Sequence, residues 1–150
     1  MKLAEALQER ADLNRKIQQL RSRLSNNVLV QEGEKTSEDP AELMKELDSS
    51  IKRLQFLMAK INLTNCSTEK DGMTLTEIIA KRDALTMKLD AYKDVVYQAS
   101  RNTDRARHSE IKILSAVDVS ELQKKVDKMS AELRKLDNLL QETNWTTELK

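Results

Sequence analysis

Three observations predict an all-α fold, an antiparallel four-helix bundle built from two helix-turn-helix halves. The first is composition: 34% of the residues are charged, 3% are aromatic, and the chain has two glycines and one proline, which suits long helices with few turns. The second is spacing, because apolar residues recur at steps of three and four along most of the chain. The third is an internal repeat. Laying Asp39 on Asp118 matches Glu42, Leu43, Lys45, Asp48, Leu54, Leu57, Thr64 and Asn65 to Glu121, Leu122, Lys124, Asp127, Leu133, Leu136, Thr143 and Asn144. Leu3, Glu5, Arg10, Leu13 and Lys16 fall likewise on Leu75, Glu77, Arg82, Leu85 and Lys88. The repeats span 1–65 and 73–144 within a single domain, 1–150.

The first helix is expected over Lys2 to Leu24, where Leu3, Ala6, Leu13, Ile17, Leu20 and Leu24 share one face and Arg10 interrupts it. Ser25-Asn26-Asn27 breaks the stripe. Val28 to Val30 then favours extended backbone, and the acidic stretch from Gln31 to Glu38 reads as a loop. Asp39-Pro40-Ala41-Glu42 is a strong helix start: aspartate accepts orphan amide hydrogens, proline loses no needed donor, and Glu42 is placed to complete a capping box. The second helix continues to about Leu63. Leu43, Leu47, Ser50, Leu54, Leu57 and Ile61 form one seam, and Met44, Ile51 and Met58 form the next, so the helix has apolar surface for more than one neighbour.

Thr74 and Glu77 form another capping box, and the third helix runs to about Ser100 along Ile78, Leu85, Leu89, Tyr92, Val96 and Ala99, with Arg82 interrupting as Arg10 does. A charged connector follows. Ile111 to Leu114 is a second β-like run, and its antiparallel partner by the repeat is Val28 to Val30, which would give a short two-stranded ribbon supported by helices. Asp118 and Glu121 open the last helix, which carries Leu122, Val126, Met129, Leu133, Leu136 and Leu140 to Trp145.

Composition also limits function. Lysine and arginine number 26 against 25 acidic residues, so no bulk field draws the protein to nucleic acid or anionic lipid. No stretch approaches the ~20 apolar residues of a membrane span. With one cysteine, Cys66, and an amphipathic start in place of a signal peptide, the expected location is cytoplasmic. Asn62-Leu63-Thr64, Asn65-Cys66-Ser67 and Asn144-Trp145-Thr146 then read as helix-end residues rather than glycosylation sites.

Several motifs together carry a resemblance. Arg10-Ala11-Asp12-Leu13-Asn14, Asn26-Asn27, Gln31-Glu32-Gly33-Glu34, Glu38-Asp39-Pro40, Ile61-Asn62 with Thr64-Asn65, Arg82-Asp83, and Leu136-Asp137 with Gln141-Glu142-Thr143-Asn144-Trp145 resemble a bacterial helical family labelled septicolysin or septicolysin-like. The resemblance covers nearly the whole chain and departs at Thr36, where a second proline is often expected. It implies a compact helical protein that assembles as a homo-oligomer, with a hexamer as one form. The residues themselves supply none of the aromatic belts or long alternating strands of a pore former.

The search for chemistry returns no catalytic, cofactor or metal set. Gly33 and Gly72 are too far apart to cradle a phosphate, and one histidine with one cysteine makes no zinc site within one chain. Glu5 with Glu9 and Glu42 with Glu46 share helix faces in a way that a magnesium ion accepts, but solvated helices produce such pairs routinely. Arg10 and Arg82 are the sharper positions. An arginine on an apolar stripe needs a carboxylate, such as Asp48 or Asp127, or an anionic ligand. Arg101, Arg105, Arg107 and His108 form a candidate basic patch, and Trp145 is placed to close the bundle end or an intersubunit contact.

The function these features favour is a non-enzymatic helical scaffold or interaction protein that self-assembles through helix faces, with a further protein partner open. One alternative is a nucleic-acid-associated coiled-coil module using Arg15, Lys16, Arg21 and Arg23 with the Arg101 to Lys112 connector, which the even charge balance disfavours. The other is a small carboxylate- or metal-dependent hydrolase.

Overall fold

A computed structural model describes residues 1–101 and 111–150. Its elements are α1 (Leu3–Asn27), α2 (Pro40–Ser67), β1 (Glu69–Lys70), β2 (Met73–Thr74), α3 (Leu75–Ala99) and α4 (Val119–Thr146). The all-α class with a short two-stranded ribbon holds. The chain divides into two compact units, Met1–Lys70 with Thr143–Lys150 and Asp71–Glu142.

The bounds of the four helices follow the repeat. Laying Leu3 on Leu75 carries α1 onto α3 end to end, each 25 residues long. Laying Pro40 on Val119 carries α2 onto α4, each 28 residues long. Burial follows the same template: Leu3 and Leu75, Ile17 and Leu89, Leu57 and Leu136, Ile61 and Leu140, and Thr64 and Thr143 are all buried. Helix starts are also shared. The Lys2 and Thr74 amides each donate to the carboxylate three residues on, Glu5 and Glu77, at 2.7 Å. Asp39 accepts from the Ala41 amide at 2.9 Å, and Asp118 accepts from the Glu121 amide at 3.1 Å. Glu42 makes no return bond to a described residue, so the box expected there is half formed.

In the first unit α1 packs on α2 along the predicted apolar seams. In the second, Leu89, Val126 and Met129 form a core against which Leu85, Tyr92, Val96 and Leu133 pack, again the predicted seam residues.

Two local expectations are corrected. α1 does not stop at Leu24 but runs on through Ser25 and Asn26 to Asn27. Asn27 is its last residue and is buried, its amide donating to the Arg23 carbonyl at 2.8 Å and accepting the Glu38 amide hydrogen at 2.9 Å. Nor does Val28 to Val30 pair with Ile111 to Leu114, for neither run is a strand. The ribbon lies instead at Glu69–Lys70 and Met73–Thr74, around a two-residue turn in which Asp71 (φ 53°) and Gly72 (φ 78°) both take left-handed backbone. Asp-Gly is a preferred pair for such hairpins, so turn chemistry prevailed over β propensity. A matching antiparallel bridge joins Lys2 to Glu148.

Candidate interaction surfaces

Of the positions singled out in the sequence, Arg82 is half-buried and donates to the Asp83 carboxylate at 2.9 and 2.7 Å, with Asp137 at 4.0 Å. Arg10 is half-buried and forms no ion pair with a described residue. Asp127 accepts from Gln123 instead of serving either arginine. Trp145 is about half exposed at the end of α4. Arg101 lies exposed with its guanidinium 5.6 Å from the Tyr97 ring centre, while Arg105, Arg107 and His108 fall outside the described residues.

The cations proposed for a nucleic-acid face are engaged on their own unit. Arg15 pairs with Asp12, Arg21 donates to Gln18 at 3.3 Å, Lys16 meets Glu46 at 2.8 Å, and Arg23 grips the Glu38 carboxylate, its Nε at 3.0 and 3.1 Å from the two oxygens. A further pair, Arg53 with Glu9, is a two-point fork at 2.6 and 2.7 Å. Three of these contacts make a ladder along the hairpin: Glu9, Lys16 and Arg23 stand one heptad apart on α1 and reach Arg53, Glu46 and Glu38. The hydrogen bond from each cation lowers the pKa of Glu9, Glu46 and Glu38 below the usual carboxylate value, against a smaller opposing effect of burial. The heptad spacing of these charges was visible in the sequence; the register that pairs them was not.

The first rung has a counterpart in the second unit. Lys81 meets Glu132 at 3.3 Å, occupying the places of Glu9 and Arg53 with the charges exchanged. The second rung has none, because Lys16 and Glu46 correspond to Lys88 and Lys125. The third becomes apolar, with Val95 and Val117 where Arg23 and Glu38 stand. Ala99 takes the place of Asn27. A groove of about 440 Å³ opens there, lined mainly by Val95, Ala99, Ile113, Leu114 and Val117, with Asp94, Gln98 and Arg101 beside it.

A further contrast lies along the exposed flank of α2. Met44, Ile51 and Met58 stand at heptad spacing and are 51%, 44% and 49% exposed. Their counterparts on α4 are Gln123, Ser130 and Asp137. The same hairpin position is therefore built once with an apolar outer seam and once with a polar one. No helix among the described residues is long and apolar enough to cross a membrane, and no group of three or more metal-ligating side chains gathers among them.

Comparison with known proteins agrees with the architecture. A model described as a family of unknown function, DUF6847, matches residues 10–149. A crystal structure described as that of a functionally unknown conserved protein from Corynebacterium diphtheriae is 40% identical, covers 100% of this chain and 99% of its own, and superposes with a TM-score of 0.92. No curated protein matches. Neither description carries the septicolysin label drawn from the motifs, and that label is not supported.

Proposed function

We propose, from the premise that this chain belongs to the DUF6847 family of unknown function, that it is a non-catalytic helical interaction protein that self-associates through the outer face of α2. The observation that carries this reading is the contrast between the two repeats. A hairpin of this design tolerates Gln123 and Ser130 at the matching positions of α4, and Asp137 there faces Arg82 of α3 at 4.0 Å, so an apolar stripe of Met44, Ile51 and Met58 is not a requirement of the hairpin. Exposed apolar residues repeated at heptad spacing along one helix suit an interface. Its geometry suits a second copy. A twofold axis through Ile51 sets Ile51 on Ile51 and Met44 on Met58, and it brings Asp48 of one chain beside Lys52 of the other. Neither Asp48 nor Lys52 has an ion-pair partner among the described residues. Methionine adapts its shape to an imperfect opposing surface, which favours packing at such a seam.

Light scattering across a dilution series tests the proposal. The parent protein is expected to hold a mass of at least two chains. A triple variant carrying the α4 residues, Met44→Gln, Ile51→Ser and Met58→Asp, is expected to fall to one chain with helicity unchanged. A parent that is monomeric at every concentration overturns the reading.

A further inference from the structure

Arg10 and Arg82 hold the same place in the two repeats, but only Arg82 is neutralised by its own hairpin. It donates to Asp83 at 2.7 Å and has Asp137 at 4.0 Å. The residues standing for those two acids in the first unit are Ala11 and Met58. Arg10 accordingly has neither an ion pair nor a hydrogen bond to a described residue, although its side chain is half-buried. A guanidinium partly withdrawn from water calls for an anion to offset it.

The place of Arg10 ties that requirement to the α2 seam. Arg82 reaches the counterpart of Met58, so Arg10 borders the seam at its Met58 end. The register of α1 on α2 is fixed by the fork between Glu9 and Arg53 and by the pair of Lys16 with Glu46, and two residues on from the fork Ala11 stands level with Ile51. The twofold axis through Ile51 that sets Met44 on Met58 therefore passes level with Ala11 of both copies and leaves both α1 helices on one side of the seam. Each Arg10 stands one residue from that axis. The carboxylates of this stretch of α1 are already engaged, Glu5 by the Lys2 amide, Glu9 by Arg53 and Asp12 by Arg15, and Asp48 is matched to Lys52 across the same axis. Pairing thus gathers two arginines and supplies no acid for them.

We propose that phosphate, free or as a monoester, binds on this axis between Arg10 of one copy and Arg10 of the other. Each guanidinium presents paired N–H donors that fit two phosphate oxygens, and two such forks balance the roughly two negative charges of a phosphate group near neutral pH. Without the anion the two like charges oppose association, and with it they promote association. The site is incomplete in one chain. It rests on the self-association reading above and adds to it a ligand that regulates the pair.

Sedimentation equilibrium across a dilution series, in inorganic phosphate and in chloride at equal ionic strength, tests the site, since matched ionic strength removes screening as a cause of any difference. A ligand held only by the pair, at about ten times its dissociation constant, tightens association about tenfold, and that fall in the dimer dissociation constant is the expected result. Arg10→Gln is expected to abolish the difference between the two salts, and Arg82→Gln to retain it. Arg10→Lys, which keeps the charge and loses the fork, serves if Arg10→Gln loses helicity, and is expected to respond less than the parent. A further series in glycerol 3-phosphate separates the two sources: a larger response than to inorganic phosphate assigns the site to a monoester, and an equal or smaller one to the free ion. A parent that pairs equally well in phosphate and chloride overturns the site and leaves the α2 seam standing. A parent that is monomeric in both overturns both. A response that survives Arg10→Gln overturns the assignment to Arg10.

Discussion

Glu9, Glu46 and Glu38 hold their cations in the open, at the rim of the α1 and α2 hairpin, and such exposed pairs contribute modestly because water and salt screen them. Their effect is easier to see in acid. Each carboxylate sits below its usual pKa, because a hydrogen bond from Arg53, Lys16 or Arg23 favours the ionised form. Glu148 is lowered in the same way by Lys2 and the terminal amine, and Glu77 by the Thr74 amide. The folded chain therefore holds fewer protons than the unfolded chain, whose glutamates titrate near ~4.3, and the stabilisation is complete above that value and lost as pH falls through the lowered ones. Thermal melting is expected to give a level Tm from pH 7 to about 5 and a declining one below about 4. A Glu9→Gln, Glu46→Gln variant should show a shallower decline over the same range. An equal decline in variant and parent would mean that other groups govern acid unfolding.

At the level of elements, the two hairpins differ most where their helices are joined. Asn27 closes the first joint from a nearly buried position, 5% exposed, by accepting the Glu38 amide hydrogen, while Ala99 leaves the second joint open to the groove. Asn27→Ala removes that acceptor and leaves the Glu38 amide without its partner. The expected loss is about 1–3 kcal/mol in denaturant unfolding, the range for an orphaned polar group. A variant as stable as the parent would show that water serves the amide equally well. The joints also show what was legible in sequence. Helix starts at Asp39, Thr74 and Asp118 and the seams through Leu57 and Leu136 were readable, since they depend on local capping and on periodicity. Ser25 to Asn27 was misread as lying beyond α1 because the tertiary bond of Asn27 to Glu38 outweighs its weak helix propensity. Val28 to Val30 was misread as half of a ribbon because β propensity is a matter of context, and the context lies elsewhere. On the surface, the spacing of Met44, Ile51 and Met58 showed the second seam directly. The charge ladder and the groove depend on which residues oppose each other across a hairpin, which periodicity does not specify.

For the whole molecule, the repeat extends to the way its ends are tied. Under the correspondence that carries α1 onto α3 and α2 onto α4, Met1 and Lys2 stand for Met73 and Thr74, and Glu148 and Leu149 stand for Glu69 and Lys70. The Leu3 amide donates to the Thr147 carbonyl at 2.9 Å, the Leu149 amide to the Met1 carbonyl at 2.9 Å, and the terminal amine meets Glu148 at 3.1 Å. One joint is thus spanned by the Asp71-Gly72 turn, and the other is the same pairing between Met1, Lys2 and Glu148, Leu149. Lys150 takes the place of Asp71. A permuted chain tests the correspondence: Lys150→Asp, one added glycine leading into Met1, and new ends between Asp71 and Gly72. Both turn positions need left-handed backbone, which Asp-Gly supplies at little strain. Circular dichroism and thermal melting should show the parent's helicity and a cooperative transition near the parent's Tm, because no helix is cut and each ribbon keeps its partner strand. Loss of cooperative melting would mean that the continuous turn is indispensable to folding, and that the two joints are alike in geometry but not in what they hold together.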